Sequence, residues 1–165
     1  MIKYLIFCES YRASHPGFLY WLRERNTGGK LDEGIWFQGN EKYAFVGLYD
    51  ANGGPKRTRS IGLAFTTEDE NVKCNFEVAF PEDEEQKKVK FYKQVVKLVG
   101  GNLSSGKLRF EKELSATDGF TEAVNFLNTI KPKIDALVKK NNLQQIFITP
   151  EKFKNKLQAI LQNRI

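Results

Sequence analysis

The chain has 165 residues, 41% of them hydrophobic, with a net charge of +6 and a pI of about 9.2. That is enough chain for one domain with a real core, and its composition is not that of a disordered segment. Two cysteines (Cys8, Cys74) and one histidine (His15) are too few for a Cys/His zinc site and point to a reducing compartment, while the basic balance favours a polyanionic partner.

The N-terminal run IKYLIFCESYR is apolar at 2, 5, 6 and 8, which predicts a short amphipathic helix. It meets Glu9 and Arg12 too soon for a signal peptide or a membrane span, so the chain reads as cytoplasmic with no membrane partner. Ser14 caps a predicted second helix with Pro16 in its first turn, and Asn26-Thr27-Gly28-Gly29 stops it, giving N-terminal helices over 1–26. Residues 34–80 read as a β-meander. GIWFQG (34–39) is a short strand, and KYAFVGLY (42–49), RTRSIGLAF (57–65) and VKCNFEVAF (72–80) alternate as strands with one buried face. DANGGPK (50–56) supplies the turn chemistry. Pro81 opens a helix over 82–99 with acidic residues in its first turns, and KLRFEKEL (107–114) is a further strand. Helices follow over 118–164. They are capped near Thr117-Asp118, broken at Lys131-Pro132, interrupted by a short strand QIFIT (145–149), and resumed at Thr149-Pro150. The fold class is α+β: one domain over 1–165, an antiparallel β-meander flanked by helices.

Three chemical patterns find little support in their context. GGNLSSGKL (100–108) matches the letters of a phosphate-binding loop through Gly101, Gly106 and Lys107. Such a loop follows a strand and opens a helix, with Ser or Thr after the Lys. Here a predicted helix precedes it, a strand follows it, and Leu108 stands after Lys107, so it reads as a helix-to-strand loop. Asp83, Glu85 and Lys87 carry the residue types of a metal-dependent nuclease, but on one helix and not on adjacent strands. His15, beside Pro16, reads as a surface or capping residue, and Cys8 and Cys74 read as core. The chain is therefore expected to be no enzyme and to need no cofactor or metal.

Two features point to nucleic acid. Lys56, Arg57 and Arg59 cluster at the turn, with Lys30 and Lys42 near them in sequence; such cations straddle phosphates. Trp36, Phe37, Tyr43, Phe45 and Tyr49 enrich the neighbouring strands in aromatic rings, on which bases stack. The same aromatics can instead serve a protein partner, so an interaction module is the alternative.

The run IWFQGNEKYAFVGLYDANGGPKRTRSIGLAF, with the strand, helix and helical tail after it, resembles the N-terminal specificity domains of McrB-type modification-dependent restriction proteins. The resemblance covers roughly residues 15–140 and rests on the Trp-Phe pair, the Tyr- and Phe-rich strand and the basic hairpin. The family pattern places Pro before the Trp, where this chain has Ile35. The resemblance implies a module that binds modified, methylated duplex DNA for a restriction or defence system and flips the base into an aromatic pocket. That pocket is lined by Trp36, Tyr43 and Tyr49, with Lys30, Lys42, Lys56, Arg57 and Arg59 holding the backbone. It also implies a fused AAA+ GTPase motor beyond residue 165 and a nuclease subunit as partner.

Overall fold

Helix α1 (Ile2–Ser14) turns Tyr4 and Cys8 fully inward and leaves Ile6 58% exposed. Its buried stripe therefore runs through 4, 8 and the half-buried Tyr11. Of the expected stripe Cys8 lies on it, Leu5 is only half-buried and Ile6 faces outward. Aromatic packing sets that rotation. Tyr4 stacks on Phe65 (centroids 5.8 Å apart), and Phe7 meets both Phe65 (5.4 Å) and Phe120 (4.8 Å). The computed structural model describes residues 2–23, 42–50, 61–79, 85–103 and 109–162.

The second N-terminal helix expected before residue 26 does not form. Pro16 has no N–H with which to continue α1, and the Phe18 amide donates to the His15 carbonyl, closing a turn. Burial then alternates: Phe18 and Tyr20 are buried, Leu19 and Trp21 half-buried. That is the period of a strand, and β1 (Trp21–Arg23) pairs antiparallel with β2 (Tyr43–Gly47).

Strands β3 (Ile61–Glu68), β4 (Asn71–Ala79) and β5 (Arg109–Ser115) complete a five-stranded sheet in the order β1-β2-β3-β4-β5, with every pairing antiparallel. The meander expected from the sequence is thus present in the described residues. The strand at 34–39, the turn residues from 51 and the start of the 57–65 run lie outside them. Asp69, at φ 54°, closes the two-residue β3–β4 hairpin, a conformation that Asp tolerates better than most residues.

One sheet face forms the main core. Val46, Leu63 and Phe76 lie in register across three strands and are each at most 1% exposed. The expected single buried face is too few: Phe45, Gly62 and Ala64, on the opposite face, are buried too. Gly62 is needed there, because a Cβ at 62 would lie 2.5 Å from the Phe45 ring and 2.5 Å from the Val46 carbonyl oxygen.

Helices cover the main face. α2 (Gln86–Leu98) buries Phe91, Tyr92, Val95 and Val96; of its predicted start, residues 81–84 lie outside the described ones. α3 (Gly119–Thr129) buries Ala123, Phe126 and Leu127, with Phe126 against Phe76 of β4 (4.8 Å). α4 (Lys131–Lys140) starts at the predicted Lys131-Pro132 break, with Pro in its first positions. The strand expected at 145–149 is instead a 3₁₀ turn, Gln144–Ile146, which buries Ile146; the Ile146 carbonyl accepts from the Asp50 amide (2.6 Å). α5 (Pro150–Gln162) follows, with Phe153 buried against Tyr20 (5.1 Å).

Gly119 sets how closely α3 sits on β4. A Cβ there would lie 2.7 Å from the Val72 carbonyl oxygen and 2.9 Å from the Cys74 amide nitrogen. Neither backbone atom can swing away, so Gly119→Ala is expected to cost about 2 kcal/mol in urea unfolding, the scale of core overpacking. Gly17→Ala, with nothing within 4 Å of the added carbon, is expected to cost nothing measurable. Equal loss in both variants would mean that close approach is not what Gly119 provides.

Candidate nucleic-acid interface

Helix α2 reads QKKVKFYKQVVKL: five lysines and no carboxylate. Its apolar residues at 91, 92, 95 and 96 are buried, which puts Lys90, Lys93 and Lys97 (i, i+3, i+7) on the opposite, exposed stripe. Helix α4 reads KPKIDALVKK: four lysines against one carboxylate, with Ile134 and Val138 inward. Lys133, Lys139 and Lys140 are exposed, the last two at the helix end where cations are favoured.

The two helices are joined side by side. The Asn141 side-chain amide donates to Gln94 Oε1 (2.8 Å), and the Lys87 ammonium donates to the Asn142 carbonyl (3.1 Å). The exposed lysines of both helices therefore belong to one region of surface. Among the described residues, none of Lys90, Lys93, Lys97, Lys133, Lys139 and Lys140 is paired with a carboxylate. Unpaired ammonium groups spaced along two adjoining helices suit a run of phosphates. This surface lies outside the sequence expectations, which centre on Glu85-Gln86-Lys87 in this helix. The lysine period through 90, 93 and 97 is the signal that marks it.

The residues expected at the site fall into three groups. Lys30, Trp36, Lys56, Arg57 and Arg59 lie outside the described residues. Lys42 is exposed beside the start of β2, and Tyr43, half-buried, pairs with Thr66 in the sheet. Tyr49 lies past the end of β2 and leaves the Tyr43 face. It is 1% exposed, its hydroxyl donates to Asp135 Oδ1 (2.6 Å), and the Lys131 ammonium sits 5.3 Å from its ring centroid. Lys131 also bridges both Asp135 oxygens at 3.1 and 3.0 Å. Tyr49 is thus an anchor between β2 and α4, and it does not share a pocket with Tyr43. Burial first, then the neighbouring Asp135 carboxylate, pushes its phenol well above the ordinary 10.0.

The other sequence patterns also have their places in the fold. Helix α2 runs into Gly100, at φ 79°, and β5 follows the loop, the reverse of the strand-loop-helix order a phosphate-binding loop needs; residues 104–108 lie outside the described ones. Glu85 is exposed at the start of α2, and Lys87 is turned to Asn142. Among the described residues no cluster of His, Cys, Asp or Glu is arranged to hold a metal ion. No described helix is long and apolar enough to cross a membrane. Comparison of the chain with family models, with curated proteins and with solved structures returns no match.

The Tyr49 anchor has a pH signature. Its folded pKa is raised, so its contribution is fully present below the unfolded value of 10.0 and is lost as pH rises beyond that. Each such tyrosine steepens the loss by up to about 1.4 kcal/mol per pH unit. Tyr20, held up by burial in the same direction, contributes the same way. Tyr49→Phe is expected to lower stability at neutral pH by about 1 kcal/mol, the usual size of one hydrogen bond, and to make the alkaline limb of urea unfolding shallower. An unchanged alkaline limb would contradict the anchoring role.

Proposed function

We propose that this chain is a DNA-binding specificity module that reads modified duplex DNA for a restriction or defence system. The observation that carries the reading is the lysine surface of α2 and α4. Six exposed ammonium groups, unpaired among the described residues, stand on two helices held together by side-chain and backbone hydrogen bonds. The net charge of +6 acts in the same sense, steering a polyanion toward the domain. Preference for a methylated base, and the fused motor and nuclease partner, rest on the McrB-type resemblance. Of the expected pocket residues within the described ones, Tyr43 is half-buried in the sheet and Tyr49 lies in the core. The alternative, a protein-interaction module, wants an apolar patch; among the described residues Ile6 is the large hydrophobic left exposed, a single side chain.

The test is fluorescence anisotropy on matched duplexes, unmodified, cytosine-methylated and adenine-methylated, at two salt concentrations. Binding is expected to weaken steeply with salt and to favour one modified duplex. The combined variant K90A/K93A/K97A is expected to weaken all duplexes alike and to flatten the salt slope by about 0.9 for each phosphate that it no longer neutralises. No binding to any duplex at low salt would overturn the reading and favour the interaction module.

A further inference from the structure

An open cleft of about 250 Å³ lies between the turn after α1 and the α3–α4 junction. Buried Phe18 and Leu127 line it with apolar surface, and Pro16 and Pro132 stiffen its rim. Its distinguishing feature is a pair of rings. Tyr11 and His15 stack face to face, with centroids 4.0 Å apart and planes 8° from parallel. Tyr11 is fixed by Phe18 at its edge (4.9 Å) and by its hydroxyl, which donates to Asn128 Oδ1 (2.7 Å). His15 is fixed by a hydrogen bond between Nδ1 and the Tyr11 carbonyl oxygen (3.0 Å). The imidazole is otherwise exposed, a preorganised platform one ring deep.

The charged residues of the cleft cancel. The Lys131 ammonium is bound to both oxygens of Asp135, so among the described residues the cleft offers no spare cation for a phosphate. Asp135 accepts one bond from Tyr49 and two from Lys131, and a carboxylate has about four acceptor positions. One is left for a donor from a ligand, and the side chain keeps 30% of its surface exposed.

We propose that this cleft binds a neutral nucleobase bearing an exocyclic amine, stacked on His15 with its amine donating to Asp135. A parallel ring platform, an apolar floor and one spare carboxylate acceptor are what such a ring needs. The volume suits a single base and is small for a whole nucleotide. The base can arrive as a free nucleoside or as an unpaired base of a single strand, and the cleft chemistry is the same for both. The inference does not depend on duplex binding by the lysine surface, from which it is chemically distinct.

His15 is the only histidine in the chain, so its imidazole carbon protons give a unique NMR signal. Adenosine titrated into the full chain is expected to shift that signal saturably, through the ring current of the stacked base. Purine riboside, which is adenosine without the amine, is expected to bind about fivefold more weakly, the worth of one hydrogen bond. A short single-stranded oligodeoxyadenylate is the second arm: saturation by the oligomer alone assigns the site to a polynucleotide, and saturation by adenosine assigns it to a free nucleoside as well. H15A, compared with the unaltered chain by titration calorimetry, is expected to bind at least about fivefold more weakly in either arm, with an unchanged thermal midpoint. An unmoved His15 signal with both probes would overturn the site, and equal binding of adenosine and purine riboside would overturn the role of Asp135. Either failure leaves duplex binding by the lysine helices standing, and K90A/K93A/K97A leaves the titration with adenosine, which carries no phosphate, unchanged.

Discussion

Phe65 is the side chain on which the rest of the arrangement hangs. It lies in β3, the central strand, fully buried, and three rings converge on it: Tyr4 and Phe7 from α1 and Phe120 from α3. Those rings fix the rotation of α1, and hence bring Tyr11 and His15 to the α3–α4 junction. They also seat α3 on β4, where Gly119 permits a backbone approach that any side chain would prevent. With α3 in place, α4 runs on from Thr129–Lys131 to Asn141, whose side chain ties its end to α2. Both surfaces to which we assign binding are consequences of how helices sit on one sheet face.

Around this core the polar side chains act as ties between elements distant in sequence. Glu9 accepts from Arg12 and from the Tyr20 hydroxyl (2.6 Å), joining α1 to the approach to β1, and the Arg12 hydrogen bond holds its carboxyl below the ordinary range. Tyr49, Asp135 and Lys131 tie the end of β2 to α4. Lys152 ties α5 to Asp50 (2.6 Å), and the Lys112 ammonium reaches the Val99 carbonyl at the end of α2 (2.5 Å). Lys112 and Lys152 are thus engaged within the fold, which separates them from the outward lysines of α2 and α4. A buried tie is costly to break from one side, since the remaining polar group loses both its partner and water.

Alternation and turn chemistry make the sheet legible in the sequence. Leu63 and Phe65, or Cys74, Phe76 and Val78, can face only one way once the period of two is recognised. Local patterns fail where tertiary pairing decides. Phe18, Leu19 and Leu22 fit a helical stripe on paper, but Trp21 pairs with Gly47 and the segment becomes an edge strand. QIFIT has the composition of a strand, but its first residues close as a 3₁₀ turn that buries Ile146 under the Asp50 amide. Tyr49 shows the same limit at the candidate site. Its place in the alternation groups it with Tyr43, but β2 ends at Gly47, and the chain bends at Leu48 and Tyr49, burying the Tyr49 ring. The Tyr11–His15 pair follows from i, i+4 spacing on α1, yet its meaning needs the α3–α4 wall opposite, which no local pattern reveals.

If the lysine helices are the binding surface, polyanions meet this domain on the outer face of α2 and α4. A backbone amide map of the full chain, titrated with a short duplex at low salt, decides the matter. The expected result is a footprint that is largest at Lys90, Lys93 and Lys97 and continues through Lys133, Lys139 and Lys140, and that disappears as salt is raised. A footprint confined to the opposite sheet face, or none at any salt, would contradict it.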